Sequence, residues 1–128
     1  MNLLAAAHAV RAIHLDWAWV VIVTNAVAGA WALAAHRFTQ LRVKQLWWFT
    51  ALAQLTVFVQ VVLGVVLIQG LDTEPYRFHM LYGFSAAFTV AIIYSYRAQL
   101  QPHVYLLYGL GGLFLTGLSL RALDIGPT

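Results

Sequence analysis

Four stretches of about twenty residues, none with a charge in its interior, follow one another along this chain. A hydrocarbon core about 30 Å thick is crossed by about 20 residues of helix. The segments 17–35, 46–69, 78–96 and 103–121 each meet that length. The connectors between them, Arg37 to Gln45, Gly70 to Arg77 and Arg97 to Pro102, are short and make neighbouring helices antiparallel. Pro102 stands where a helix start tolerates it. A barrel would need short segments of alternating polarity separated by turns, and these apolar runs are continuous. The expected fold is all-α: one integral membrane domain over residues 1–128, a four-helix bundle of antiparallel up-down topology.

Composition agrees. Of the 128 residues, 62% are hydrophobic and 9% charged, whereas a soluble domain carries about a quarter charged residues. The lipid bilayer is therefore the first expected partner. A formal charge of +3 is too small and scattered for nucleic acid. The absence of cysteine excludes disulfides, thiolate-held iron–sulfur clusters, covalent c-type haem and a cysteine nucleophile.

Charge sets an orientation. Arg37, Arg42, Lys44 and Arg97 fall in the first and third connectors, while Asp16, Asp72, Glu74 and Asp124 fall at the opposite level with Arg11, Arg77 and Arg121. Short basic loops stay cytoplasmic, which predicts a multi-pass protein of the plasma membrane with both termini outside. Trp17, Trp19, Tyr76 and Tyr82 supply the outer aromatic belt, and Trp47, Trp48, Tyr94, Tyr96, Tyr105 and Tyr108 the inner one. Residues 2–14 are too short to span and read as an interfacial helix or an extension of the first span. They lack a basic start and a small-residue cleavage site, so retention is expected. The segments opened by His79-Met-Leu-Tyr-Gly and His103-Val-Tyr-Leu-Leu-Tyr-Gly form only a faint internal echo.

Histidines carry the chemistry. On the first span His14, Ala18, Val21, Asn25, Gly29, Ala32 and His36 fall on one helical stripe. Its two histidines are separated by roughly 33 Å at 1.5 Å per residue. The third span shows His79, Gly83, Ala86 and Val90 on one face, and the fourth opens with His103. By depth, His14 and His79, with His8 nearby, belong to the outer level; His36 and His103 belong to the inner one. Two histidines from different helices at one level are what the axial positions of a b-type haem require, and small residues beside them leave room for a macrocycle. His14 with His79 is the leading pair of iron ligands, and His36 with His103 the candidate for a second haem. A single histidine at headgroup depth says little, since it is amphipathic and tolerated there.

Among the remaining polar groups, Gln60 and Asn25 are candidates for contact with a haem propionate or a quinone carbonyl. Hydrogen bonding between helices, worth about 0.6 kcal/mol in a membrane, is the simpler role for them and for Gln54. Gly109, Gly111, Gly112 and Gly117 with Thr116 make the fourth span a close-packing surface and a candidate interface for a homo-oligomer or a partner membrane subunit. Neither His14-Leu-Asp16 nor Asp72 with Glu74 forms a convincing metal motif. No triad or paired carboxylates suit hydrolysis, and no intramembrane lysine or carboxylate can relay protons.

The stretch from Gln60-Val-Val-Leu-Gly64 to His79-Met-Leu-Tyr-Gly83 resembles part of the haem A synthase family. There a helix ending in a Gln-to-Leu-Gly pattern precedes an outer loop and a helix opened by a haem-ligating histidine. The resemblance covers two of the four spans and implies haem ligation by His79. The family's other ligand lies in a Glu-to-His-Arg pattern. Here His36-Arg37 lacks the glutamate and falls at the other membrane level. Segments such as Ile-Tyr-Ser-Tyr-Arg97 also resemble small actinobacterial membrane proteins.

The expected function is a cytochrome-like haem-binding module for electron transfer or haem handling. The alternative is a non-catalytic subunit or assembly factor of a larger membrane complex, motivated by the small extramembrane mass. A transporter has least support, because no charged or clustered polar lining is visible.

Overall fold

The computed structural model describes residues 3–71 and 77–125. Asp72, Glu74 and Tyr76 of the expected outer loop lie outside them. Four long helices make up the described chain: α1 (Leu3–Arg37), α2 (Lys44–Leu71), α3 (Arg77–Tyr96) and α4 (Val104–Asp124), with single turns of 3-10 helix at Thr39–Leu41 and Gln101–His103. Each of the four contains a segment long and apolar enough to cross a membrane. Of the two expectations for residues 2–14, the described part, from Leu3 onward, is an extension of the first span. α1 is continuous over 35 residues, about 52 Å at 1.5 Å per residue.

The distribution of side-chain size explains how these helices meet. Five alanines, Ala28, Ala32, Ala35, Ala53 and Ala86, are among the buried positions, whereas Trp48 is 71% exposed and Phe88 68%. On α2 the residues Trp48, Leu52, Leu55, Val59, Val62 and Val66 form an exposed apolar stripe at helical spacing, and Leu81, Phe84, Phe88 and Ile92 do the same on α3. In water this arrangement would leave the largest hydrophobes unburied, against the main driving force for folding. In lipid it is the stable one, because tails solvate the large side chains and small ones let backbones approach.

α1 is the central element, packed along both α2 and α4; α3 packs mainly on α4 and touches α2 more sparsely. The α1–α4 crossing depends on glycine. A Cβ on Gly29 would lie 2.9 Å from the Leu113 backbone nitrogen, and one on Gly112 would lie 2.8 Å from the Gly29 Cα. Both distances are shorter than real Cβ contacts, so a side chain at either position forces the helices apart. Gly109 is closed in by Leu33, and Gly111 by Ile93 of α3, whereas Gly117 faces open space. The glycine-rich surface of α4 is thus largely occupied within the chain.

Polar groups fasten α1 to α2. Asn25, 1% exposed, donates from Nδ2 to the Val21 carbonyl at 2.9 Å and to the Ala53 carbonyl at 3.1 Å. Trp17 Nε1 donates to the Thr56 carbonyl at 2.9 Å. At the end of α1, Arg42 folds back and donates from Nε to the Ala35 carbonyl and from Nη2 to the His36 carbonyl. The last carbonyls of a helix have no intrahelical partner and carry partial negative charge, so this guanidinium caps α1.

Candidate functional site

His14, three turns into α1, and His79, in the first turn of α3, lie together. Both are half-buried, their ring centroids lie 6.1 Å apart, and their planes are nearly perpendicular at 83°. The expected outer pair is therefore a contact pair between two helices.

Each ring is held from behind. His79 Nδ1 lies 2.7 Å from the Ala122 carbonyl. A carbonyl only accepts, so Nδ1 carries a proton in this contact and Nε2 is the nitrogen left outside it. Ala122 stands in the last turn of α4, where carbonyls lack a helical partner. His14 is held through its backbone: Gln60 Nε2 donates to the His14 carbonyl at 2.8 Å. Its imidazole packs against Gly64, where a Cβ would sit 3.4 Å from His14 Cε1. Glycine at 64 thus gives the ring its place on α2.

Two polar atoms in this nest are buried without a hydrogen bond, His14 Nδ1 and Gln60 Oε1. Such atoms cost about 1–3 kcal/mol each when unsatisfied. The Gln60–His14 bond uses neither of them, because it runs from Gln60 Nε2 to the His14 backbone carbonyl. Beyond His79, a Cβ on Gly83 would meet nothing within 4 Å, so space is open along that face of α3.

His36 and His103 meet where α1 ends and α4 begins, with centroids 6.5 Å apart and planes at 49°. His36 is half-buried and His103 exposed, and neither ring nitrogen makes a hydrogen bond among the described residues. Around them stand aromatic and basic groups. Trp47 packs on Tyr105 and Tyr108, Arg42 lies over the Tyr105 ring at 4.8 Å, and Arg97 over the Tyr94 ring at 3.6 Å.

The other sequence candidates fall differently. Asn25 joins neither pair and bonds α1 to α2. His8 is exposed and joins neither. Gln60 reaches the His14 nest through the backbone carbonyl. Among the described residues no group of three or more His, Cys, Asp or Glu converges, so no multidentate zinc-type ligand set is assembled there; a haem asks the protein for only two axial ligands. Sequence reasoning missed Ala122, whose contribution is a main-chain carbonyl, and it named Gly64 only as the end of the Gln60-to-Gly64 pattern. No protein-family model matches the chain, and neither curated proteins nor solved structures yield a match.

Proposed function

We propose that this chain is a small membrane cytochrome-like module in which His14 and His79 are the axial ligands of one b-type haem. The observation that carries the reading is the contact of these two rings from α1 and α3, with His79 Nδ1 tied to the Ala122 carbonyl. If haem were bound here, His14 and His79 would hold its iron from two different helices; their ring centroids are 6.1 Å apart, and those of the inner pair 6.5 Å.

The roles of the surrounding groups follow from what a ligating imidazole needs. Its second nitrogen must be oriented and its basicity raised by a hydrogen bond, and this shell affects affinity by about 10–100-fold. For His79 the Ala122 carbonyl does this. For His14 no such bond is in place: Nδ1 and the neighbouring Gln60 Oε1 are both buried without a partner. The open side of Gly83 supports room for a flat macrocycle. Haem bound at this pair supplies one-electron redox chemistry; the protein fixes its ligands and its depth.

The same reading places the bundle antiparallel and up-down in the plasma membrane, with His14 and His79 at the outer surface and the four cations Arg37, Arg42, Lys44 and Arg97 inside. His36 and His103, at 6.5 Å, form a second and weaker candidate for haem at the inner level. Purification in detergent from haem-replete cells tests the proposal. It predicts a Soret band that sharpens and shifts on reduction, as two strong-field axial imidazoles require. A colourless protein from such cells contradicts it.

A further inference from the structure

At the end of the bundle where α1 stops and α4 starts, a cleft of about 600 Å³ opens between the starts of α2 and α4. Trp47, Tyr105 and Tyr108 form its aromatic wall, and Arg42, Arg97 and Gln101 its polar one. We propose that this cleft binds the phosphate of an anionic phospholipid, with Arg42 and Arg97 on the headgroup oxygens and the aromatic wall against the glycerol and first acyl carbons. This inference rests on the membrane reading above and is independent of the haem.

Three observations lead to this occupant. The first is uncompensated charge. The chain has only four carboxylate side chains, Asp16, Asp72, Glu74 and Asp124, none within either connector at this end, and Asp124 pairs with Arg121 near the C-terminus. Arg42 and Arg97 therefore face the cleft without an acidic partner among the described residues.

The second is preorganisation. Arg42 is fixed by two carbonyls and the face of Tyr105, which leaves Nη1 outside those bonds. Arg97 donates from Nη1 to the Tyr94 carbonyl at 2.8 Å, which leaves Nε and Nη2. Guanidinium donors match phosphate oxygens in geometry, and fixing them in advance reduces the entropy lost on binding.

The third is position and size. The cleft lies at a terminus of apolar spans, where headgroups stand, and basic pockets between transmembrane helices at that level suit acidic headgroups. Its volume exceeds that of a lone phosphate ion and accommodates a headgroup with its glycerol. Trp47 and Tyr108 supply an apolar wall that a free ion has no use for.

Native mass spectrometry of the full chain in a neutral detergent reads the site directly, with phosphatidylglycerol and phosphatidylcholine as probes. One phosphatidylglycerol should remain bound at collision energies that strip phosphatidylcholine. Arg97→Gln should lower its occupancy about tenfold or more, the loss of a charge-assisted hydrogen bond. Arg37→Gln, a charge removed at the same end but outside the cleft, should leave occupancy within twofold. Because Arg42 also caps α1, Arg42→Gln is interpreted only beside a circular-dichroism melt, and Arg97→Gln carries the test.

Equal retention of the two lipids overturns the proposal. So does an equal loss from Arg37→Gln, which indicates diffuse attraction to the basic end. Displacement of phosphatidylglycerol by millimolar inorganic phosphate assigns the cleft to the free ion and overturns the lipid. A chain that stays dispersed without detergent overturns the membrane reading itself, a different failure from loss of lipid selectivity in detergent.

Discussion

The two ends of the bundle each place a histidine of α1 beside a histidine of another helix, at 6.1 Å in one case and 6.5 Å in the other. What differs is the support behind the rings. His79 is locked by a carbonyl of α4, His14 leans on Gly64, and Gln60 reaches across from α2 to the His14 backbone. His36 and His103 stand among arginines and tyrosines with no hydrogen bond to either ring among the described residues. Proximity of two imidazoles is thus the weaker criterion, and a fixed tautomer behind a ring is the stronger one. The first end resembles a prepared ligand set; the second resembles a headgroup surface with histidines in it.

The largest expected effect separates the ends outright. His79→Ala should remove nearly all haem from the purified protein, measured as haem per chain, whereas His36→Ala should leave the first site's band in place. Equal losses would erase the distinction drawn here. Next comes Gln60→Leu, which removes the bond that ties the His14 backbone to α2. Haem affinity should fall about 10–100-fold, as for lost outer-shell partners, when haem is titrated into the apoprotein.

Gly29→Val acts between the ends, on the α1–α4 crossing. Overpacking of this kind costs about 1–3 kcal/mol, and a melt in detergent should show it in apoprotein and haem-loaded protein alike. The smallest effect is expected from His103→Ala. An exposed residue without hydrogen-bonded support changes stability by about 0.5 kcal/mol or less, so the melting temperature should stay within error.

Much of the architecture was readable from the sequence because the constraint is simple: uncharged length decides where a helix can cross. Counting 1.5 Å per residue along the spans pairs His14 with His79 and His36 with His103, and the rings of each pair lie side by side in the structure. The continuity of α1 back to Leu3 was not decided by the sequence, since residues 2–14 satisfy both an interfacial helix and an extension. The partner of the α4 glycines was also open. A small-residue surface packs equally well on a helix of its own chain or of another, and only the structure gives Gly109 and Gly112 to Leu33 and Gly29. Ala122 was illegible for a different reason: its contribution is a main-chain carbonyl freed by a helix end, and any residue supplies one.

Haem stoichiometry in two double variants tests the central claim most directly. His14→Ala with His79→Ala should purify folded and essentially colourless, while His36→Ala with His103→Ala should retain one haem per chain with the reduced spectrum of two axial imidazoles. The reverse pattern, or full haem content in the first variant, contradicts the assignment of the iron to His14 and His79.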